Sequence, residues 1–152
     1  MSRELPRFEG QERPTNTVNL LREAFTALND RAHARLAERG HGVVRPAHGA
    51  VFQYLDDTGT PVARLAERAQ MTKQAMSELV AHLEHHGYVV REPDPADRRA
   101  KLVTPTAKGR EVFALVGELV PEIELDIAAL LGVERAAALR EDLERLRVHA
   151  TP

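Results

Sequence analysis

The feature that most constrains this chain is a tight connection between two short amphipathic segments, followed at once by a stretch rich in β-formers. Apolar residues recur at three- and four-residue steps on both sides of residues 70–71, which predicts two helices joined by a turn. Thr72 is a suitable N-cap for the second helix, and Gly87 is a suitable end. Two short strands, at residues 88–91 and 100–104, enclose a Pro/Asp-rich turn and predict a hairpin.

The segments before this unit are predicted to be an arm and further helices. Residues 1–16 are polar and contain prolines and a glycine, which predicts a flexible arm. Thr17 is an acceptable N-cap for a long amphipathic helix. Pro46 is placed to open a second helix, and Thr60 with Pro61 repeats the cap-and-proline pattern for a short third one.

The segment after the hairpin is predicted to be helical again. An apolar ridge over residues 112–130 indicates a long helix. Pro121 removes a backbone donor, so we expect a kink near Gly117 or a division into two helices. Gly132 separates this ridge from a last amphipathic helix. The predicted fold class is mainly α with a small β-hairpin wing, a winged helix-turn-helix.

Composition excludes several classes of function. The chain has 152 residues and no cysteine, which excludes disulfides, thiolate zinc sites and thiol nucleophiles. It contains no GxSxG, Gly-rich phosphate loop or HExxH motif, so we expect neither an enzyme nor a cofactor. No apolar run approaches the roughly 18 residues of a membrane span, and the polar start does not resemble a signal peptide. We therefore expect a cytoplasmic protein without a membrane partner.

The second helix of the pair is suited to reading double-stranded DNA. An α-helix fits the major groove, and a neighbouring hairpin reaches the minor groove. The outward positions near its start carry hydroxyl, ammonium and amide groups, at the positive end of the helix dipole. We predict base reading by Lys73, Gln74 and Ser77, with a phosphate or base contact by Thr72. The net charge of −2 argues against non-specific coating of nucleic acid.

The tip of the hairpin carries two adjacent arginines. Arg98 and Arg99 lie in a short protruding turn, from which a guanidinium can enter a narrow minor groove. Asp97 is predicted to fix the turn and orient an arginine. The alternative interpretation of this tip is a solvated charged turn.

The chain resembles the MarR family of bacterial transcription regulators over residues 43–109. The family's wing pattern is matched by DRR at residues 97–99, followed after five residues by PTAKG at residues 105–109. Pro105 stands where the family usually has leucine, which puts the strand-to-helix junction in doubt. The stretch MTKQAMSELVAHLEHHGYVVR, at residues 71–91, resembles the family's recognition helix and its end.

The resemblance implies a homodimer built from the first and last helices. Apolar rows on those helices independently favour a partner, although they could also pack within one subunit. A two-fold dimer requires a pseudo-palindromic operator. The predicted division is an arm at 1–16, an N-terminal dimerisation helix with its connection at 17–45, a DNA-binding lobe at 46–109 and C-terminal dimerisation helices at 110–152.

The resemblance also implies a repressor released from DNA by a small aromatic or phenolic effector. Candidate lining residues, for which core packing is the alternative, are Phe25, His48, Phe52 and Phe113. The seven histidines show no recognised zinc spacing, so we expect no metal. Two other hypotheses stay open: a winged-helix module that binds protein, and a metal-responsive regulator.

Overall fold

The computed structural model describes residues 7–12 and 14–150 and is mostly helical. The helices are α1 (Thr17–Leu36), α2 (Gly49–Tyr54), α3 (Val62–Arg68), α4 (Lys73–His85), α5 (Ala107–Leu131) and α6 (Val133–Ala150). The strands are β1 (Arg7–Phe8), β2 (Gln11–Glu12), β3 (Thr60–Pro61), β4 (Val89–Pro93) and β5 (Lys101–Pro105). This arrangement confirms the predicted fold class.

The N-cap of helix α1 lies one residue earlier than the sequence predicts. The Asn16 side chain accepts a hydrogen bond from the backbone N–H of Asn19 at 3.0 Å, so Asn16, and not Thr17, is the N-cap. Asn is among the best N-cap residues because its short side chain reaches the open N–H groups. Helix α1 continues into one π-helical turn, Ala37–His41. Gly40 in this turn has a φ of 90°, which interrupts the helical backbone and which glycine adopts without steric cost.

The sheet has three strands, one more than predicted. Its order is β3-β5-β4, and both pairs are antiparallel. Thr60 and Pro61 were expected to open a helix, but they pair with Val103 and Leu102 of β5. The Thr60 hydroxyl is used by the preceding turn, where it accepts from the backbone N–H of Asp56 at 2.9 Å. It is therefore not available to cap, and Pro61 is the N-cap of α3.

The core lies where α2, α3 and α4 meet the sheet. Tyr88, which follows α4, is fully buried beside the edge of this sheet. Leu36 from α1 and Val112 from α5 extend the core toward the long helices. The other fully buried apolar side chains are Val51, Leu65, Met76, Val80, Leu83, Val89 and Val103.

Helix α5 runs through Pro121 as one helix of 25 residues, so of the two predicted outcomes, a kink near Gly117 or a division, the division is wrong. A proline leaves the carbonyl four residues earlier, here that of Gly117, without its helical donor. Both residues are exposed, so water can satisfy this carbonyl at small cost. The C-cap Gly132, with a φ of 89°, separates α5 from α6 as expected. Within the described ranges, no helix is long and apolar enough to cross a membrane.

The predicted N-terminal arm contains a small hairpin. Strands β1 and β2 pair antiparallel across a turn in which Glu9 has a φ of 53° and Gly10 a φ of 77°. Two consecutive positive φ values form the turn that best matches the twist of a two-residue hairpin loop. Residues 7–12 therefore form a hairpin that the sequence pattern did not predict, and the flexibility of the arm stays a prediction. Residues 1–6 and 13 lie outside the described residues.

Candidate nucleic-acid interface

The start of α4 is capped but keeps an open positive end. Thr72 Oγ1 accepts a hydrogen bond from the Ala75 backbone N–H at 3.1 Å, which fixes where the helix begins. No acidic residue lies in the first turn, and Lys73 and Gln74 are exposed there. Helix N-termini of this kind favour an anion such as a DNA phosphate.

The rotation of α4 about its axis is set by its buried side. Met76, Val80 and Leu83 are completely buried, and they occupy one face at steps of three and four residues. Gln74 lies on the opposite face, whereas Lys73 lies in line with the buried face and is exposed because it is the first residue of the helix. These two predicted reading side chains are both exposed. Ser77 is the exception, because it is only half-exposed.

The wing tip is a hydrogen-bonded turn rather than a loose loop. The Asp94 N–H donates to the Ala100 carbonyl at 3.0 Å, which closes the base of the turn. Asp97 Oδ1 accepts from the backbone N–H of Arg99 at 3.0 Å. Asp97 therefore orders the turn backbone, while its effect on an arginine side chain stays a prediction. Arg98 and Arg99 are both exposed, as a groove-inserting role requires.

Three histidines meet at α4: His48, a candidate effector residue, and His82 and His86, to which the sequence assigned no role. The His48 ring is buried and stacks on His82 at 4.5 Å, and His82 lies 4.6 Å from His86. The Arg45 backbone N–H donates to His48 Nδ1 at 2.9 Å. Burial first, and the neighbouring His82 and Arg45 next, lower the pKa of His48 to about 4. Among residues 7–12 and 14–150, no group of three or more His, Asp or Glu is placed to hold a metal ion.

The four predicted effector residues do not come together. Phe52 and Phe113 contact each other edge to face, with centroids 5.3 Å apart. His48 is stacked on His82 instead, and Phe25 is 67% exposed on α1. The effector role of these residues therefore stays a prediction, and the contact between Phe52 and Phe113 belongs to the packing of the core.

Two shallow grooves lie elsewhere, between α1 and α5. Arg35, Leu119 and Glu122 line both of them. Arg31 and Asp126, which line the first groove, form an ion pair at 2.5 Å. None of the four predicted effector residues lines either groove. The sequence pattern gave no sign of these grooves, because they arise only where two distant helices pack together.

Comparison with known proteins identifies the family. A model of the MarR family matches residues 44–100. The transcriptional regulator HosA of Escherichia coli O157:H7 is 30% identical over 120 residues, which cover 77% of this chain and 89% of HosA. The match extends over the lobe and well into the flanking helices.

Two solved structures show the same fold. The reduced form of MarR from E. coli has a TM-score of 0.74 at 16% identity, covering 89% of this chain and 98% of that one. The repressor CouR, bound to a 23-mer DNA duplex, has a TM-score of 0.70 at 24% identity, covering 87% and 92%. At these identities, the likeness establishes the fold alone. The match to HosA shows the family, and the capped helix α4 and the wing agree with it. This chain is therefore a DNA-binding transcriptional regulator of the MarR family.

Proposed function

We propose that this regulator acts as a homodimer on a pseudo-palindromic operator and represses transcription until a small effector binds. In this proposal, α4 lies in the major groove of each half-site. Lys73, Gln74 and Ser77 contact base edges, and Thr72 contacts a phosphate or a base. The ammonium and amide groups match the acceptors and donors that base edges present in that groove.

The wing completes each half-site in the minor groove. Arg98 and Arg99 enter the groove, where a narrow A·T-rich segment attracts guanidinium groups. Asp97 holds the turn that carries them, through its bond to the Arg99 N–H. The observation that carries the proposal is that one buried core supports two exposed cationic features, the capped start of α4 and the ordered wing tip.

Exposed apolar surface supports a second copy of the chain as the partner. Within the described residues, every exposed large apolar side chain except Val90 lies on α1, α5 or α6. Leu130, for example, is 83% exposed, and α6 buries no residue at all. A concentration of apolar surface on a few helices is typical of an interface. The first and last helices therefore provide the dimer contacts in our proposal.

Charge supports the proposed orientation on DNA. Residues 111–152 carry five more acidic than basic side chains, so phosphate repels this part of the chain. In a two-fold dimer that turns α5 and α6 away from DNA, the two α4 helices lie about one turn apart, roughly 34–36 Å. Each subunit then reads one half of an inverted repeat.

The effector would act by changing the distance between the two reader helices. A ligand that prefers a dimer with the wrong spacing lowers DNA affinity by its difference in affinity for the two states. In this proposal an aromatic or phenolic ligand packs beside Phe52 and Phe113, whose rings meet edge to face. Phe25, exposed on α1, becomes part of the same region when a second copy covers that helix.

Selection of bound sequences from a random duplex pool tests the proposal. We expect an inverted repeat whose half-site centres lie about 10 base pairs apart. Light scattering of the free protein should give the mass of two chains. Selection with the Gln74→Ala variant is the matched comparison and should lose preference at one position in each half-site. A pool without enrichment, or a monomer in solution, would contradict the proposal.

A further inference from the structure

Arg91 of β4 joins the wing to the reader helix through its side chain. Its Nη2 donates to the Ser77 carbonyl at 3.3 Å, and its Nε lies 3.5 Å from Glu84 Oε2. The side chain is only 28% exposed. Its Nε atom is buried and has no hydrogen-bond partner among the described residues. The guanidinium is therefore held between a main-chain oxygen and a carboxylate of α4.

We propose that Arg91 is a positioning residue for DNA reading. It holds the wing at a fixed place along α4, so that the major-groove and minor-groove contacts are made together. This inference rests on the proposed function, because it concerns how the two reading elements are held relative to each other. Arg91 itself does not touch DNA in this proposal.

The position of Arg91 allows its restraint to reach the wing tip. It pairs with Val103 in the middle of a five-pair ladder that runs from Val89↔Pro105 to Pro93↔Lys101. Beyond the ladder, the closed turn adds the bond from the Asp94 N–H to the Ala100 carbonyl. A restraint on Arg91 is therefore passed along hydrogen-bonded backbone as far as the tip.

Apolar packing alone does not supply this restraint. Val89 and Leu83 are buried and hold the sheet against the lobe. Hydrophobic contact is non-directional, so it resists separation of two surfaces much better than it resists sliding. The hydrogen bond from Arg91 Nη2 to the Ser77 carbonyl does resist sliding, because it requires a set direction and distance, and the ion pair with Glu84 adds attraction at a second point on α4. Arg91 is therefore suited to setting the register between wing and helix.

The test is a double-mutant cycle with Arg91→Met and Arg99→Ala, titrated against the duplex selected for the wild-type protein. We expect about a five-fold loss of affinity for Arg91→Met and about a ten-fold loss for Arg99→Ala. The double variant should lose much less than the product, because the wing contact is already impaired by the first change. Two losses that simply multiply would overturn the positioning role.

Glu84→Gln is a second test, in which electrostatics alone and the loss of the Arg91 contact change DNA affinity in opposite directions. Removing a negative charge should by itself strengthen binding to DNA. If Glu84 helps to hold Arg91 in place, affinity instead falls by about two-fold or more. Unchanged or tighter binding by Glu84→Gln counts against the inference.

Two further variants separate the possible failures. Arg64→Met is the matched control, since Arg64 lies on α3 and is given no DNA or dimer contact in our proposal, its side chain is 61% exposed, and it pairs only with Glu67 of its own helix. Its affinity should equal that of the wild type. Arg91→Lys keeps the charge but not the planar group that places Nη2 against the Ser77 carbonyl, and should behave like Arg91→Met. If Arg99→Ala alone has no effect, the proposed wing function fails and this inference fails with it. If only the Arg91 and Glu84 variants have no effect, the wing function stands.

Discussion

At the scale of the residue, a single substitution can test the proposed role of the two wing-tip arginines in DNA binding. Arg99→Ala removes the proposed minor-groove contact while leaving the backbone N–H that Asp97 holds. We expect DNA binding to weaken by about 1–3 kcal/mol. Because the side chain is exposed, the free energy of unfolding should change by less than about 0.5 kcal/mol. A gel-shift titration and a urea denaturation curve measure the two quantities.

An unchanged affinity would leave Arg99 as part of a solvated charged turn, which is the alternative that the sequence left open. A large loss of stability would instead mean that the variant is defective in folding. Arg64→Met serves again as the comparison, because it removes an exposed arginine that makes no DNA or dimer contact in the proposal.

His48 makes the stability of the lobe depend on pH. Burial and the neighbouring His82 and Arg45 lower its pKa from 6.5 to about 4 in the folded protein. Between these two values, the unfolded chain binds a proton that the folded chain does not. The free energy of unfolding should therefore fall as pH decreases from 6.5 to 4, by up to about 3 kcal/mol. Above pH 6.5, this residue contributes no pH dependence.

The matched variant is His48→Asn, whose side-chain oxygen can accept from the Arg45 N–H as His48 Nδ1 does. Urea denaturation at pH 7.5, 6 and 5 should show a shallower decline for the variant than for the wild type. Parallel declines in the two proteins would assign the pH dependence to other groups.

At the scale of the element, α5 is the clearest case of tertiary structure overriding a local signal. Pro121→Ala restores a backbone donor and a good helix former within α5. We expect the free energy of unfolding to rise by about 1–2 kcal/mol, less than the full cost of an interior proline because the site is exposed. Guanidinium chloride denaturation measures the change.

Gly117→Ala is the matched control for Pro121→Ala. A Cβ added at Gly117 meets nothing within 4 Å, so this change should add only about 0.5–1 kcal/mol. A loss of stability in Pro121→Ala alone would show that the folded protein requires the backbone shape that proline imposes.

Elements whose signals are local could be predicted from the sequence. Helix α4 has local signals: a cap at Thr72, an apolar face containing Met76 and an end at Gly87. Each signal lies within a few residues of sequence, and the structure confirms the helix. Strand β3 could not be predicted, because Thr60 and Pro61 become a strand only by pairing with a segment some 40 residues later. Local signals there favoured a helix cap instead.

The candidate site likewise combines features that have a local sequence signal with contacts between distant segments that do not. The exposure of Gln74 follows from helical periodicity, and that of Lys73 from its place next to the N-cap, so both could be predicted. The contacts of Arg91 with Ser77 and Glu84 join a strand to a helix, and no sequence pattern predicts them. The stacking of His48 on His82 was missed for the same reason.

At the scale of the whole molecule, the proposed DNA recognition depends on two copies of one reading unit. The lobe has its own buried core, whereas α1, α5 and α6 carry almost all of the exposed large apolar side chains in the described chain. A second copy that covers those helices would fix the separation of the two α4 helices. The spacing of the operator half-sites then becomes a property of the dimer.

The most direct measurement is therefore the affinity for the selected duplex before and after about 5 base pairs, half a helical turn, are inserted between its half-sites. The insertion turns one half-site to the opposite side of the DNA, so only one α4 and one wing can bind. We predict that affinity falls by about 100-fold or more. An affinity unchanged by the insertion would contradict a dimer that reads both half-sites at once.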